Sequence, residues 1–429
     1  MLKTVEIGKG SEIAPYLAGP GPSSSAEEAA DAGKYPYLVA SLHCVAAFSA
    51  ANLLFPTVGQ SLERTAVLSL LFLGVMFALI QLFSAPVASA ARRFPMVAIL
   101  FLVWCLITVA RGITTQAPTL VTLLTNPSVG GLVWLVPFVA MLAKGHDAIR
   151  AVYRPLRLQA LISVPFSVSV IAYVLATGAR LDWPDTWAQV GPTLAYGVPF
   201  ILLTRADRLG PRWLLFAILI LTGVADFCAG NRAFAALDAA YLVCVIGYGR
   251  EALLSRALPR IAALTAGGVL AGFFVLSSLR DAATSGLLAD TRTFLFRELA
   301  ADFTNYDWVF GRGALGAYYS PYFEHWRLLG LPGDSPYRQT SEVGYLFIVL
   351  KMGLVGVALY LATMLSAVFS SRYLADRRLA GGCMLYLMLH TVSWGIIAGA
   401  GVETRSVLDW LVVGACFSGA VVPVGRRTV

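Results

Sequence analysis

Between residues 280 and 342 the sequence gathers Arg280, Arg292, Arg297, Arg312, Arg327, Arg338, His325 and Glu342. Arg232, Glu403 and Arg405 stand at the ends of apolar runs that reach the same side. A guanidinium presents a planar fork of donors that matches phosphate oxygens, so this set suits binding of an anion. Ionisable groups in or beside apolar spans carry a free-energy penalty and are functional candidates by default; Asp226, Asp238, Lys351, His390 and Asp409 complete that group. Lys351 is read as a structural partner of Asp238 or Asp409, and His390 as a hydrogen-bonded core histidine. His325, between Glu324 and Trp326, is either a surface or a site residue.

The stretch GRGALG, Gly311 to Gly316, has the spacing G-x-G-x-x-G. That spacing signals dinucleotide binding only after a buried strand and at the start of a helix, a context missing here. Its glycines are expected instead to let the backbone turn tightly or approach another surface closely. The six cysteines all lie inside apolar runs at no metal-like spacing, which removes disulfide and zinc readings. Neither a metal nor a cofactor is expected.

The elements that position these groups follow from composition. Apolar residues make up 58% of the chain and charged ones 13%, with a mean hydropathy of +0.73, far above a soluble domain. Runs long enough to cross a hydrocarbon core about 30 Å thick recur about twelve times. Their approximate bounds are 36 to 55, 65 to 84, 95 to 112, 128 to 143, 158 to 177, 188 to 204, 212 to 229, 232 to 248, 260 to 278, 343 to 370, 379 to 399 and 406 to 424. Arg92 and Arg93, the group Lys144, Arg150, Arg154 and Arg157, then Arg205, Arg208 and Arg212 fall in alternate short loops, as do Arg250, Arg256 and Arg260, then Arg372, Arg377 and Arg378, and finally Arg426 and Arg427. The other short loops hold Arg64, Arg111, Arg180, Arg232 and Arg405. The positive-inside bias makes the first set and both termini cytoplasmic. The net charge of +8 is then mostly topology, with no nucleic-acid signal. The expected fold is all-α: a disordered cytoplasmic tail over 1–34, helices one to nine over 35–278, a large loop on the outer side over 279–341, and three last helices with a short cytoplasmic C-terminus over 342–429. The tail shows no cleavable signal peptide. The loop is rich in Phe, Tyr, Trp and Leu, unlike a disordered segment, and TRTFLFRELAADF can form an amphipathic helix with Phe294, Leu295, Leu299 and Phe303 on or near one face.

Three segments together resemble the O-antigen ligase and O-antigen polymerase superfamily of bacterial inner-membrane glycosyltransferases. CAGNRAFAALDAAYLV is similar to a small-residue run ending in an arginine at the outer mouth of a helix, and points to Arg232. TRTFLFRELAADFTNYDWVFGRGALGAYY resembles an arginine, an amphipathic helix and a G-x-G turn, and selects Arg292 with Gly311 and Gly313. SEVGYLFIVLKMGLVGVALYL resembles the helix after the loop, with a polar head and G-x-x-G further on. Where the ligases carry histidine then asparagine, this chain has Glu342 then Val343, a departure that tilts the reading from ligase toward polymerase.

The resemblance implies a GT-C-like multi-pass enzyme of the bacterial inner membrane with a periplasmic site and an undecaprenyl-diphosphate-linked oligosaccharide as donor. Arg232 and Arg292 would grip the diphosphate and stabilise the charge that grows as the anomeric bond breaks. Glu342 would accept the proton of the attacking hydroxyl, or else salt-bridge an arginine and orient it. Arg297, Arg338, Arg312, His325, Tyr318 and Tyr319 are the candidate substrate contacts. Trp308, Tyr322 and Trp326 join Tyr318 and Tyr319 as rings suited to sugar faces, or to packing of the loop on the bundle. Partners implied are an acceptor glycan, membrane lipid, a flippase and a chain-length regulator. The alternative is a ligase delivering the glycan to lipid A core or another acceptor. A secondary transporter has the same number of spans but would show an internal repeat, and none is evident.

Overall fold

The computed structural model describes residues 35–54, 95–116, 145–178, 186–204, 212–229, 231–248, 291–328, 336–339, 344–374, 377–394 and 404–418, with Leu181, Ser341 and scattered positions between 69 and 80. Helices dominate them: α1 (Pro36–Leu54), α2 (Met96–Gln116), α3 (Gly145–Thr177), a 3-10 turn (Thr186–Gln189), α4 (Val190–Ala195), α5 (Val198–Thr204), α6 (Arg212–Cys228) and α7 (Arg232–Tyr248). In the loop region come α8 (Thr291–Asp302), α9 (Asn305–Phe310), strand β1 (Tyr318–Tyr319), α10 (Pro321–Leu328) and strand β2 (Tyr337–Arg338), followed by α11 (Gly344–Ser371), α12 (Arg377–Trp394) and α13 (Thr404–Ser418). The expected tail and the spans at 128 to 143 and 260 to 278 lie outside the described residues, and that at 65 to 84 largely does.

Three described helical stretches, Met96–Thr114, Ala151–Thr177 and Gly344–Ser371, are long and apolar enough to cross a membrane. On α2 one face, Ala98, Phe101, Cys105, Thr108 and Gly112, is buried at a spacing of three and four residues. The opposite face exposes Met96, Ile99, Leu100, Val103, Leu106, Ile107 and Ile113. A helix apolar on both faces belongs in a large core or in lipid. At the centre runs α11, which packs on α2, α12 and α13. Phe101, Tyr360 and Trp410 form an aromatic knot among α2, α11 and α13, and such ring pairs add about 0.5–1.5 kcal/mol each beyond the area they bury.

Two expectations about the spans need correction. The helix expected from 158 begins at Gly145, so Arg150, Arg154 and Arg157 are helical rather than in a loop. Ile149, Val152, Tyr153 and Leu156 recur at i, i+3, i+4 and i+7 and are all buried, which carries the helix through the basic stretch. The single span expected over 188 to 204 is broken at Tyr196–Gly197. Pro199 has no N–H to continue a ladder, and a side chain at Gly197 would collide with Leu156.

Candidate functional site

The loop region folds onto α11 from within its own sequence. Leu295 and Leu299 on α8 are buried with Tyr318, Val349 and Leu350, and Phe303 and Trp308 pack against them. This bears out the amphipathic reading of α8 for the residues whose side chains are described. Helix α9 starts with a capping box: the Asp307 N–H donates to Thr304 Oγ1 at 3.2 Å, and the Thr304 N–H to Asp307 Oδ2 at 3.1 Å. T-x-x-D ahead of an apolar pair is a legible sequence sign of such a start.

Arg312 closes the module. Its Nη1 donates to Asp302 Oδ2 at 2.5 Å and to the Ala317 carbonyl at 2.8 Å; its Nη2 donates to the Asp302 carbonyl at 2.5 Å and to Asp307 Oδ2 at 3.1 Å. The guanidinium also lies 4.8 Å from the Phe303 ring centroid. Burial works to raise the Asp307 carboxyl, but hydrogen bonds from Arg312 and from the Thr304 backbone and hydroxyl outweigh it and hold the group below the usual aspartate value. Burial likewise works to lower Arg312, and its bonds and charge attraction to Asp307 and Asp302 leave it raised. Proposed from sequence as a substrate contact, Arg312 instead spends its fork on the loop's own carboxylates and carbonyls.

The GRGALG turn then docks on a break in α11. Gly353 has φ 69° and ψ −172° inside the helix, a region open essentially to glycine alone. The break ends the first segment of α11 at Met352 and leaves its last carbonyls without helical partners. The Arg312 N–H donates to the Leu350 carbonyl at 2.8 Å and the Gly313 N–H to the Lys351 carbonyl at 3.0 Å. Trp104 Nε1 on α2 takes the Met352 carbonyl at 3.0 Å. Gly311 and Gly313 have φ of 70° and 81°. A Cβ at Gly311 would strike the Lys351–Met352 backbone, and one at Gly353 the Val309 carbonyl. The two glycines therefore face each other, and the expectation of a close-approach turn holds.

Two cations seal this contact. Arg111, expected in a short loop, sits inside α2 and donates to the Phe310 and Gly311 carbonyls at 2.5 and 2.7 Å. Lys351 is fully buried and donates through Nζ to the Gly316 carbonyl at 2.6 Å, with the Phe347 ring centroid 5.6 Å away. Its expected partners were Asp238 or Asp409, so its partner in the structure is a correction: a lysine buried beside a tight turn finds an orphan carbonyl nearer than a carboxylate. Asp409 accepts the Tyr386 hydroxyl at 2.7 Å and lies 3.3 Å from His390 Nε2. His390 is a buried, partnered core histidine, as expected.

The other sequence-selected residues distribute around this module. Arg232 is the first residue of α7 and Arg292 the second of α8, and their side chains, like Glu342, lie outside the described residues. Arg297 is exposed on α8 and His325 exposed on α10. Arg338 is half-buried on β2, opposite Tyr318 in the antiparallel pair, with Tyr337 opposite Tyr319. The buried Tyr318 packs in the loop core, while the Tyr319 hydroxyl bonds Glu324. Packing thus accounts for Tyr318 and Trp308, and Tyr322 remains exposed. Arg111 is the residue that sequence reading passed over, although a lone arginine near the end of an apolar helix was a usable signal. No protein-family model, curated protein or solved structure matches the chain.

Proposed function

We propose that the chain is a multi-pass membrane glycosyltransferase that polymerises undecaprenyl-diphosphate-linked oligosaccharide repeat units at the periplasmic face of the bacterial inner membrane. The observation that carries the reading is the docking just described. Two of the three segments that resemble the family, the G-x-G turn and the helix after the loop, meet through Gly311 and Gly353. Arg292 is the second residue of α8, and α8 packs through Leu295 and Leu299 on Val349 and Leu350 of α11.

In this reading an acceptor hydroxyl oxygen attacks the anomeric carbon. The bond from that carbon to the diphosphate oxygen breaks, its electron pair leaves with the diphosphate, and Arg232 and Arg292 stabilise the growing charge. The hydroxyl proton passes to Glu342. Two arginines supply the charge neutralisation, and the scheme needs no metal.

The break in α11 is also a feature of transporters, whose discontinuous helices bind ions on unwound carbonyls. Here those carbonyls accept from Arg312, Gly313 and Trp104, which counts against that use.

The test is incubation of the purified protein with the lipid-linked repeat unit of its own host, with and without lipid A core. A ladder from donor alone supports polymerisation. Product only with added acceptor moves the assignment to ligase, and no glycan transfer in either arm overturns the reading. Glu342→Gln is expected to lose turnover and keep donor binding; full activity in that variant dismisses the base.

A further inference from the structure

We infer that residues 305–316 form a re-entrant segment seated within one membrane leaflet, with Val309 against lipid acyl chains and Tyr306 at the level of the headgroups. The leaflet is the one at the Gln116 end of α2. The inference rests on α2 and α11 as membrane spans and is independent of the glycosyltransferase reading.

The depth of the docking site comes from the two helices separately. The Ala314 N–H donates to the Thr108 carbonyl at 2.9 Å, and Thr108 is eight residues, about 12 Å at 1.5 Å per residue, from the end of α2. Gly353 is nine residues, about 13 Å, inside the start of α11. Taken alone, α11 does not fix the depth, since its 28 residues are interrupted by the break at Gly353. The length of α2 decides: 21 residues make about 31 Å, the core thickness itself. Its exposed apolar face also continues past the dock to Ile113. Raising the dock above the membrane would lift that face into water.

The backbone of the segment meets the demand that hydrocarbon imposes. Within the bilayer, non-helical chain is tolerated only where protein satisfies its polar groups. The N–H groups of Gly311, Arg312, Gly313 and Ala314, four in succession, donate to the carbonyls of Asp307, Leu350, Lys351 and Thr108. A loop in water has no such requirement. Arg111 would be expensive at this depth unless paired, and it finds the Phe310 and Gly311 carbonyls and the Tyr306 ring, 5.6 Å away. The outward side of α9 carries Tyr306, 60% exposed, and Val309, 40% exposed. A phenol near the headgroups with an aliphatic residue one turn deeper is the pattern of an interfacial segment.

The test places photoreactive benzoylphenylalanine at Val309, at Ile107 on the exposed face of α2, and at His325 on α10, each in the full chain in native membranes. After irradiation, phospholipid adducts are read by mass spectrometry. Adducts at 309 and 107 with none at 325 are expected. An adduct at 107 alone overturns the inference, as does equal labelling of all three, which would mean a loop resting on the surface. A protein adduct at 309 would also overturn it by naming another occupant. Gly353→Ala, which undocks the turn, should lower the 309 adduct while leaving that at 107.

Discussion

Replacing Gly353 by alanine tests the docking directly. The residue holds φ 69°, and an added Cβ would run into the Val309 carbonyl and the Phe310 N–H, backbone atoms that cannot swing aside. The least costly escape is for α11 to straighten, because alanine favours helix. Its carbonyls at Leu350, Lys351 and Met352 then return to the helix, and the Arg312 N–H, Gly313 N–H and Trp104 Nε1 lose their acceptors. Two of these bonds belong to the turn, so at about 1 kcal/mol net per bond it loses on the order of 2 kcal/mol of docking. That corresponds to roughly a thirtyfold rise in the undocked population. Where opening is fast, cleavage follows that population, so tryptic cut at Arg312–Gly313 in detergent should rise about thirtyfold. Exposed Arg297 serves as the internal reference site. Gly178→Ala is the control, since Gly178 also has positive φ but nothing within 4 Å of an added Cβ. That variant bears local strain alone, roughly 1–2 kcal/mol, and should leave the Arg312 cut unchanged. Cleavage within a few-fold of the parent in Gly353→Ala would refute the reasoning.

The loop module makes further predictions. Arg312→Ala should destabilise it by roughly 1.5–3 kcal/mol, the range for bonds to charged groups. Arg312→Lys should recover less than half of that in thermal unfolding, because an ammonium cannot reproduce the fork; full recovery would mean charge alone suffices. In the bundle, Asp409→Leu removes the acceptor of the Tyr386 hydroxyl, at about 1–3 kcal/mol for an orphaned buried group. Asp409→Asn keeps an acceptor and should lose less; equal losses would show that the carboxylate's bonds contribute nothing.

Local pattern determined much of this protein by itself. Apolar run length and composition placed α1, α7 and α11 within a residue or two, and the period of Leu295 and Leu299 announced the buried face of α8. Helix signals of this kind repeat every 3.6 residues and need no distant partner. The glycines of GRGALG could also be read as a close-approach turn, since the context for a phosphate loop was absent. What they approach was decided only by tertiary structure. Gly353 looks like an ordinary small residue in an apolar helix until the Val309 carbonyl arrives from the loop, and only then does its positive φ free the carbonyls that hold Arg312 and Gly313. Lys351 and Arg111 follow the same rule. Charge arithmetic along the sequence sends each toward a carboxylate or a loop, whereas folding places each beside a turn whose carbonyls lack donors. Buried cations take the nearest unsatisfied acceptor, and where that acceptor lies depends on which two distant segments meet.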